Sequence, residues 1–273
     1  MQPIFQIYPS GSRILPFEQC DLFIDVGEKH FCLAVMIHET KEFVALEHYN
    51  LKTFSISELK EMFQSNIYVK QSYLNVNIFY NFPGANLIPE RFYDAEQSGV
   101  LLELMNGDLN DRITLHDELS SKSIYTVYDV NMELHQEMVR IFPDARFSHF
   151  ISVFISRDVY LPGAFLDIAI YPDNFIIGFW KLGKLQLAQY YDYDYPEDIT
   201  YHILNVLTQW NCETEDVQIS LGGIIETQSP IYNEILKYFP KVSLHQRPIH
   251  FRYDFEFDRY PQHYFSTIFS LAL

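Results

Sequence analysis

Cysteine is scarce in this chain: Cys20, Cys32 and Cys212 are the only three among 273 residues. An odd, widely spaced set makes a poor disulfide framework, and no CxxC pair is present. In strand-like runs such as those holding Cys20 and Cys32, a reduced thiol behaves as a small apolar group. Cations are also few, with 19 Lys and Arg against 36 Asp and Glu and a net charge of −17. Duplex nucleic acid and anionic membranes are held by clustered cations, so neither is an expected partner. No run approaches about 18 apolar residues, so no transmembrane helix is expected. The opening MQPIFQIYPSGSRILPF lacks a basic region followed by an apolar run, so no secretory leader is expected, and the default setting is reduced and cytoplasmic. GxSxG, HExxH and GxxxxGK[ST] are all missing, which leaves hydrolase, zincin and P-loop chemistry without support.

What is present is core. Hydrophobic residues make up 48% of the chain and aromatics 16%, enough for one large domain or two modest ones. The first half opens with three strand-like runs, CDLFIDV (20–26), HFCLAVMI (30–37) and EFVALEHYNL (42–51), joined by tight turns. A helix follows in SISELKEMFQS, where Ser55 and Glu58 have capping-box spacing and Ile56, Leu59, Met62 and Phe63 share a face. YLNVNIFY (73–80) alternates as a strand. Pro89 is placed to open a helix in IPERFYDAEQ, SIYTVYDV (123–130) reads as a strand, and a helix runs to Phe142.

The second half repeats this order. AFLDIAIY (164–171), NFIIGFWK (174–181) and KLQLAQYYDY (184–193) are three successive strands. Helices are expected in YPEDITYHILNVLTQW, SPIYNEILKYF and PQHYFSTIFSLAL, and strands in DVQISLGG and KVSLHQ. Both halves read β-β-β-α-β-α-β-α. Asp25 and Asp167 fall at the same place in the first strand of each, and Pro89 and Pro230 at a similar offset. An internal duplication follows, with a first domain over 1–147, an insertion near 98–122, and a second domain over 148–273.

That order resembles the ribonuclease H-like fold. Two such mixed-sheet domains in one chain resemble the actin-like ATPase superfamily of sugar kinases, Hsp70-type chaperones and the pilus protein PilM. The run also looks like an uncharacterised bacterial family of unknown function with that fold. The resemblance implies an ATP cleft between the domains. Each first hairpin turn would supply a phosphate loop, and a Gly-Gly after the fourth strand of the second domain would pack on adenosine. On this chain the implied nucleotide-binding positions are Asp25, Gly27 and Lys29 in the first turn, Asp167 at the second, and Gly222 and Gly223 in SLGGIIE.

The phosphate turns depart from the pattern. Asp25-Val-Gly-Glu-Lys-His30 has no Ser or Thr, and Glu28 would repel phosphate. The segment from Asp167 to Asn174 has no glycine, while Pro172 removes a backbone donor and Asp173 adds negative charge. The bland readings are that Asp25 tightens its hairpin and that the glycines make a turn of positive φ. A two-metal nuclease would need a carboxylate at the fourth strand, and neither YLNVNIFYN nor VQISLGG supplies one. The ten histidines show no ligand spacing, and His245 and His250 are expected on opposite faces of an extended segment as ordinary polar residues. YYDYDYPED (190–198) is a docking surface or an edge whose tyrosines pack on the next helix, the latter being expected.

The sequence singles out no catalytic residue, and no metal site is expected. The expected protein is a cytoplasmic actin-like protein, non-enzymatic, acting through a protein partner. The alternative is a nucleotide-binding ATPase or small-molecule kinase that takes ATP and Mg²⁺ in an atypical cleft.

Overall fold

A computed structural model describes residues 2–273 except 13, 53, 54, 108, 109, 158 and 160. The chain divides into two compact units. One comprises residues up to 156 together with 249–259, and the other comprises 157–248 with most of 260–273.

The first unit begins with the short strand β1 (Phe5–Ile7), then β2 (Cys20–Gly27), β3 (His30–Ile37) and β4 (Glu42–Asn50). All eight residues of β2 and of β3 are buried. Strands covered on both faces read as continuous apolar runs, which is why these segments were legible. Helix α1 (Ile56–Ser65) starts at Ser55, whose hydroxyl accepts the Glu58 N–H, and it buries Leu59, Met62 and Phe63. It is the crossover that lets β5 (Asn75–Asn81) run parallel to β2.

Next come β6 (Ala85–Pro89), α2 (Ser98–Asn106), β7 (Arg112–Leu119) and β8 (Ile124–Asn131). These three strands form a separate antiparallel sheet in the order β6-β8-β7, closed around Ile88, Leu102 and Val127. Two expectations change here. Pro89 opens no α-helix: its ψ of 136° is extended, and it ends a strand before one 3₁₀ turn, Glu90–Phe92. Proline fixes φ alone, and ψ decides between helix and strand. The 123–130 run is a strand, but it belongs to this small sheet.

Helix α3 (Met132–Ile141) is capped by Asn131, whose side chain accepts the Leu134 N–H, and it is followed by β9 (Arg146–His149) and α4 (Phe150–Ser156). β9 is the strand that pairs parallel with β5 in the main sheet. At four residues it is too short to leave a periodic signature.

The second unit holds β10 (Ala164–Ile170), β11 (Asn174–Lys181), β12 (Lys184–Asp192), α5 (Pro196–Gln209), β13 (Val217–Gly223), α6 (Pro230–Tyr238) and β14 (Val242–Leu244). Helix α5 opens on Pro196, and Asp198 accepts the backbone N–H groups of Asp194 and Tyr195 at its N-terminus. Its stripe Ile199, Ile203, Val206 and Leu207 packs on Leu166, Ile168, Phe175, Ile177 and Phe179 of the sheet. Helix α6 is capped by the Ser229 hydroxyl.

The two main sheets have one topology. The first contains β4-β3-β2-β5-β9 in order, and the second is β12-β11-β10-β13-β14. In both, the three leading strands are antiparallel and the last two pair parallel. This is the repeated β-β-β-α-β-α-β pattern, with the small sheet present only in the first copy.

The chain then returns to the first unit. β15 (Arg252–Tyr253) pairs parallel with β4, and the Asp254 carboxylate accepts both the backbone N–H and the hydroxyl of Ser10. Residues 249–259, expected within the second domain, therefore pack with the first. Helix α7 (Ser266–Ser270) belongs to the second unit and lies against β13.

Candidate functional site

Asp25 sits near the end of β2, on the face opposite α1 and α3. Strand register explains its neighbours. Asp25 is paired with Cys32 across β3 and with Phe79 across β5, and Gly27 with Asn81. The two-residue turn Glu28-Lys29 sets His30 opposite Gly27, so Asp25, Gly27, His30 and Asn81 share one face. There the Asn81 amide donates to Asp25 Oδ1 at 3.0 Å, and His30 Nε2 lies 3.1 Å from the same oxygen. Asp25, His30 and Asn81 are each 2% exposed.

Gly27 is required here by that ring. A Cβ on it would overlap the His30 imidazole and approach the Asn81 carbonyl at 2.8 Å. In a phosphate loop a glycine admits phosphate to the backbone; at Gly27 it admits an imidazole. His48 stacks on His30 with ring centroids 6.3 Å apart and planes within 5°. Burial first, then the neighbouring His30, holds His48 down at about 4, so it is neutral at pH 7. Burial, with Asp25 and Glu47 adding repulsion, pushes the Cys32 thiol up, so it is no nucleophile. Lys29 is half-buried in the turn and its carbonyl accepts the Leu51 N–H.

Asp167 of β10 has the same setting. It is fully buried, paired with Gly178 and Ser220, and forms an ion pair with Arg157. His245, one residue past β14, brings Nε2 to 2.5 Å from Asp167 Oδ1. Its Nδ1 lies 3.0 Å from the Ser266 hydroxyl. Burial first, then the Arg157 charge, holds His245 down at about 3, so the ring is neutral. A neutral ring beside a carboxylate carries its proton on Nε2 and accepts at Nδ1.

Gly222 repeats the role of Gly27, because a Cβ there would overlap the His245 ring. Gly223 has φ of +110°, and a Cβ on it would collide with the Ile170 carbonyl; its N–H donates to the His263 carbonyl at 3.0 Å. Gly223 therefore serves a turn of positive φ.

Ser266, His245 and Asp167 have the residue types of a nucleophilic triad, but the geometry is structural. Ser266 is 1% exposed, and its hydroxyl has a second acceptor in the His263 carbonyl at 2.9 Å. A nucleophile must reach a substrate carbon, and this oxygen faces the core.

Of the residues expected to hold nucleotide, Asp25, Gly27 and Lys29 thus share one hairpin, and Asp167, Gly222 and Gly223 share one corner of the second sheet. Sequence reasoning missed His30, Asn81, His245, Arg157 and Ser266. The first two were findable: a two-residue turn dictates that residue 30 faces residue 27. His245, expected as an ordinary polar residue, packs against Asp167 because it extends the parallel pairing of β14 with β13, its N–H donating to the Leu221 carbonyl at 2.8 Å. Also missed was Glu47, buried and accepting from Gln6, Tyr49 and Asn66 at 2.9, 2.6 and 2.5 Å.

In the Tyr-Asp run, Tyr191 lies on Phe175 and His202, and Tyr193 donates to the Tyr171 carbonyl, while Tyr195 is 68% exposed. Most of that aromatic face is packed, as expected for an edge. Among the described residues, no group of three His, Cys, Asp or Glu side chains is arranged to hold a metal, and no helix is long and apolar enough to cross a membrane.

Residues 13–242 match the model of a family described as a protein of unknown function, DUF3822. No curated protein matches the chain. Among solved structures, one from Bacteroides thetaiotaomicron VPI-5482 is described as having an actin-like ATPase fold and unknown function. It superposes with a TM-score of 0.76 at 19% identity, covering 85% of this chain and 94% of that one. A PilM-PilN type IV pilus biogenesis complex superposes with a TM-score of 0.54 at 9% identity, covering 94% and 98%. At these identities the likeness is one of fold, the actin-like ATPase fold.

Proposed function

Because this chain belongs to the DUF3822 family of proteins of unknown function and has the actin-like ATPase fold, we propose that it is a cytoplasmic, non-enzymatic member of that fold which acts by binding another protein. One observation carries this reading. In each unit the aspartate at the phosphate-turn position contacts an imidazole whose side chain is no more than 10% exposed, and a nearby glycine, Gly27 or Gly222, is closed over by the same ring. At either turn a phosphate would have to displace a packed imidazole and meet a nearby acid, Glu28 in the first unit or Asp173 in the second. A cytoplasmic setting is supported by free cysteines, two of them buried. The PilM-PilN complex is an instance of the fold assembled with a partner. The proposed boundary between the two domains, expected at 147/148, falls after Ser156, with 249–259 joining the first domain and the small sheet 85–131, wider than the expected 98–122, as its insertion.

The test is thermal unfolding with millimolar Mg-ATP. A ligand at a hundred times its Kd adds about 2.7 kcal/mol, a rise of about 5–10 °C for a protein of this size. The expected result is no rise. A rise lost in Asp25→Asn would instead establish the second reading, an ATPase or small-molecule kinase, which draws on Gly27 and Lys29 sharing a turn and on the Gly222-Gly223 pair.

A further inference from the structure

The small sheet of the first unit carries an apolar surface of its own. Helix α2 buries Ser98 and Leu102 against β8. Its opposite side is apolar too: Val100 is 67% exposed and Leu104 83%. Phe92, in the 3₁₀ turn, is 66% exposed. Phe92, Val100, Leu101 and Leu104, with Ile88 beneath, line an open groove of about 300 Å³. An amphipathic surface helix normally turns polar residues outward, so a second apolar stripe at i, i+4 needs a partner.

The charge around the groove is mostly acidic. Asp94 lines the groove itself, Glu90, Glu96 and Glu103 are exposed on the same segment, and the one cation within 88–106, Arg91, lies over the Phe92 ring at 4.6 Å. A second copy would set acid against acid, in a chain of net charge −17. The groove is walled by side chains of a helix and a turn, and the facing edge of β6 is partly covered where Asn106 donates to the Gly84 carbonyl at 2.9 Å. Recognition there runs through side chains rather than strand addition.

We propose that this groove is the docking site for a basic amphipathic helix of a partner protein, whose apolar side chains fill the space between Phe92 and Leu104 and whose Lys and Arg residues meet the acidic rim. The inference rests on the reading of the chain as a binding protein, and it names the surface and the chemistry of what it binds.

The probe is a fluorescein-labelled synthetic helix with Leu at i, i+3, i+4 and i+7 and Lys on its other face, titrated by anisotropy into the whole protein. Two control peptides replace Leu by Ser or Lys by Glu. Wild type is expected to bind the Leu/Lys helix alone. Leu104→Ser, at an exposed site that folding does not need, should weaken binding about 10–100-fold, the value of one buried leucine. The triple change Asp94→Lys, Glu96→Lys, Glu103→Lys should abolish the salt dependence of binding. Equal binding of the Ser-substituted peptide would mean general attraction to an acidic protein and would overturn the site. So would Leu104→Ser binding like wild type. Sedimentation showing a wild-type dimer that Leu104→Ser dissolves would replace the partner by a second copy. These readouts do not involve ATP, so the site and the absence of nucleotide binding can fail separately.

Discussion

Acidification from pH 7 to 5 should destabilise the first unit, and His149 shows why. It ends β9, is 1% exposed, and has both ring nitrogens committed. Nε2 donates to the Phe82 carbonyl at 3.0 Å, and Nδ1 accepts the Ile151 N–H at 3.2 Å, at the start of α4. A proton on Nδ1 would evict that N–H and bury a charge. Burial accordingly holds the ring down at about 4 from the ordinary 6.5. The sign is therefore fixed: the neutral ring is native, the unfolded chain takes up the proton first, and stability is intact above pH 6.5 and lost between 6.5 and 4. At pH 5 the loss is about 2 kcal/mol for such a group. His48, also held at about 4, adds a similar amount in the same direction. With a urea m-value of about 2 kcal/mol/M, each contributes a fall of about 1 M in the midpoint. Both tryptophans, Trp180 and Trp210, lie in the second unit, so fluorescence follows that unit, while far-UV circular dichroism also follows the first. His149→Gln can keep one donor and one acceptor without titrating, and should remove about half of the pH-linked loss. An equal loss in wild type and His149→Gln, or an imidazole Cε1–H resonance of His149 that titrates near 6.5 in the folded protein, would refute the reasoning.

Other outcomes follow from the same geometry. Gly27→Ala and Gly222→Ala should each cost about 1–3 kcal/mol, because the new methyl displaces a packed imidazole; calorimetry checks this, and a neutral result would mean the rings move freely. Arg157→Ala should destabilise the second unit by about 3 kcal/mol by leaving the Asp167 carboxylate short of a charge partner, seen as an early loss of tryptophan fluorescence in urea. Native thiol titration should report Cys212 quickly, with Cys20 and Cys32 reacting only on unfolding, since those two are buried. Thermal unfolding should be unchanged by Mg-ATP.

The long, doubly buried strands and the capped helices were legible because burial on both faces leaves uninterrupted apolar runs, and because Ser55, Pro196 and Ser229 mark helix starts. The actin-like fold followed from their order. Around Pro89 the sequence misled, since proline suits a helix start and a strand end equally, and the partner strand that decided the matter lies more than thirty residues away. β9 and β15 were invisible because strands of four and two residues carry no period. At the site, the sequence pointed to both aspartates and the glycines but not to the imidazoles packed on them. Local motifs do not disclose what a neighbouring strand delivers, and His245 arrives through a parallel pairing of β13 with β14, 78 positions from Asp167.

The return of residues 249–259 bears on how the chain is made. A ribosome must finish the entire second sheet before it releases the strand that borders β4 and the carboxylate that anchors Ser10. The first unit is thus completed only after the second sheet has been made, and removing residues 249–259 injures the first unit.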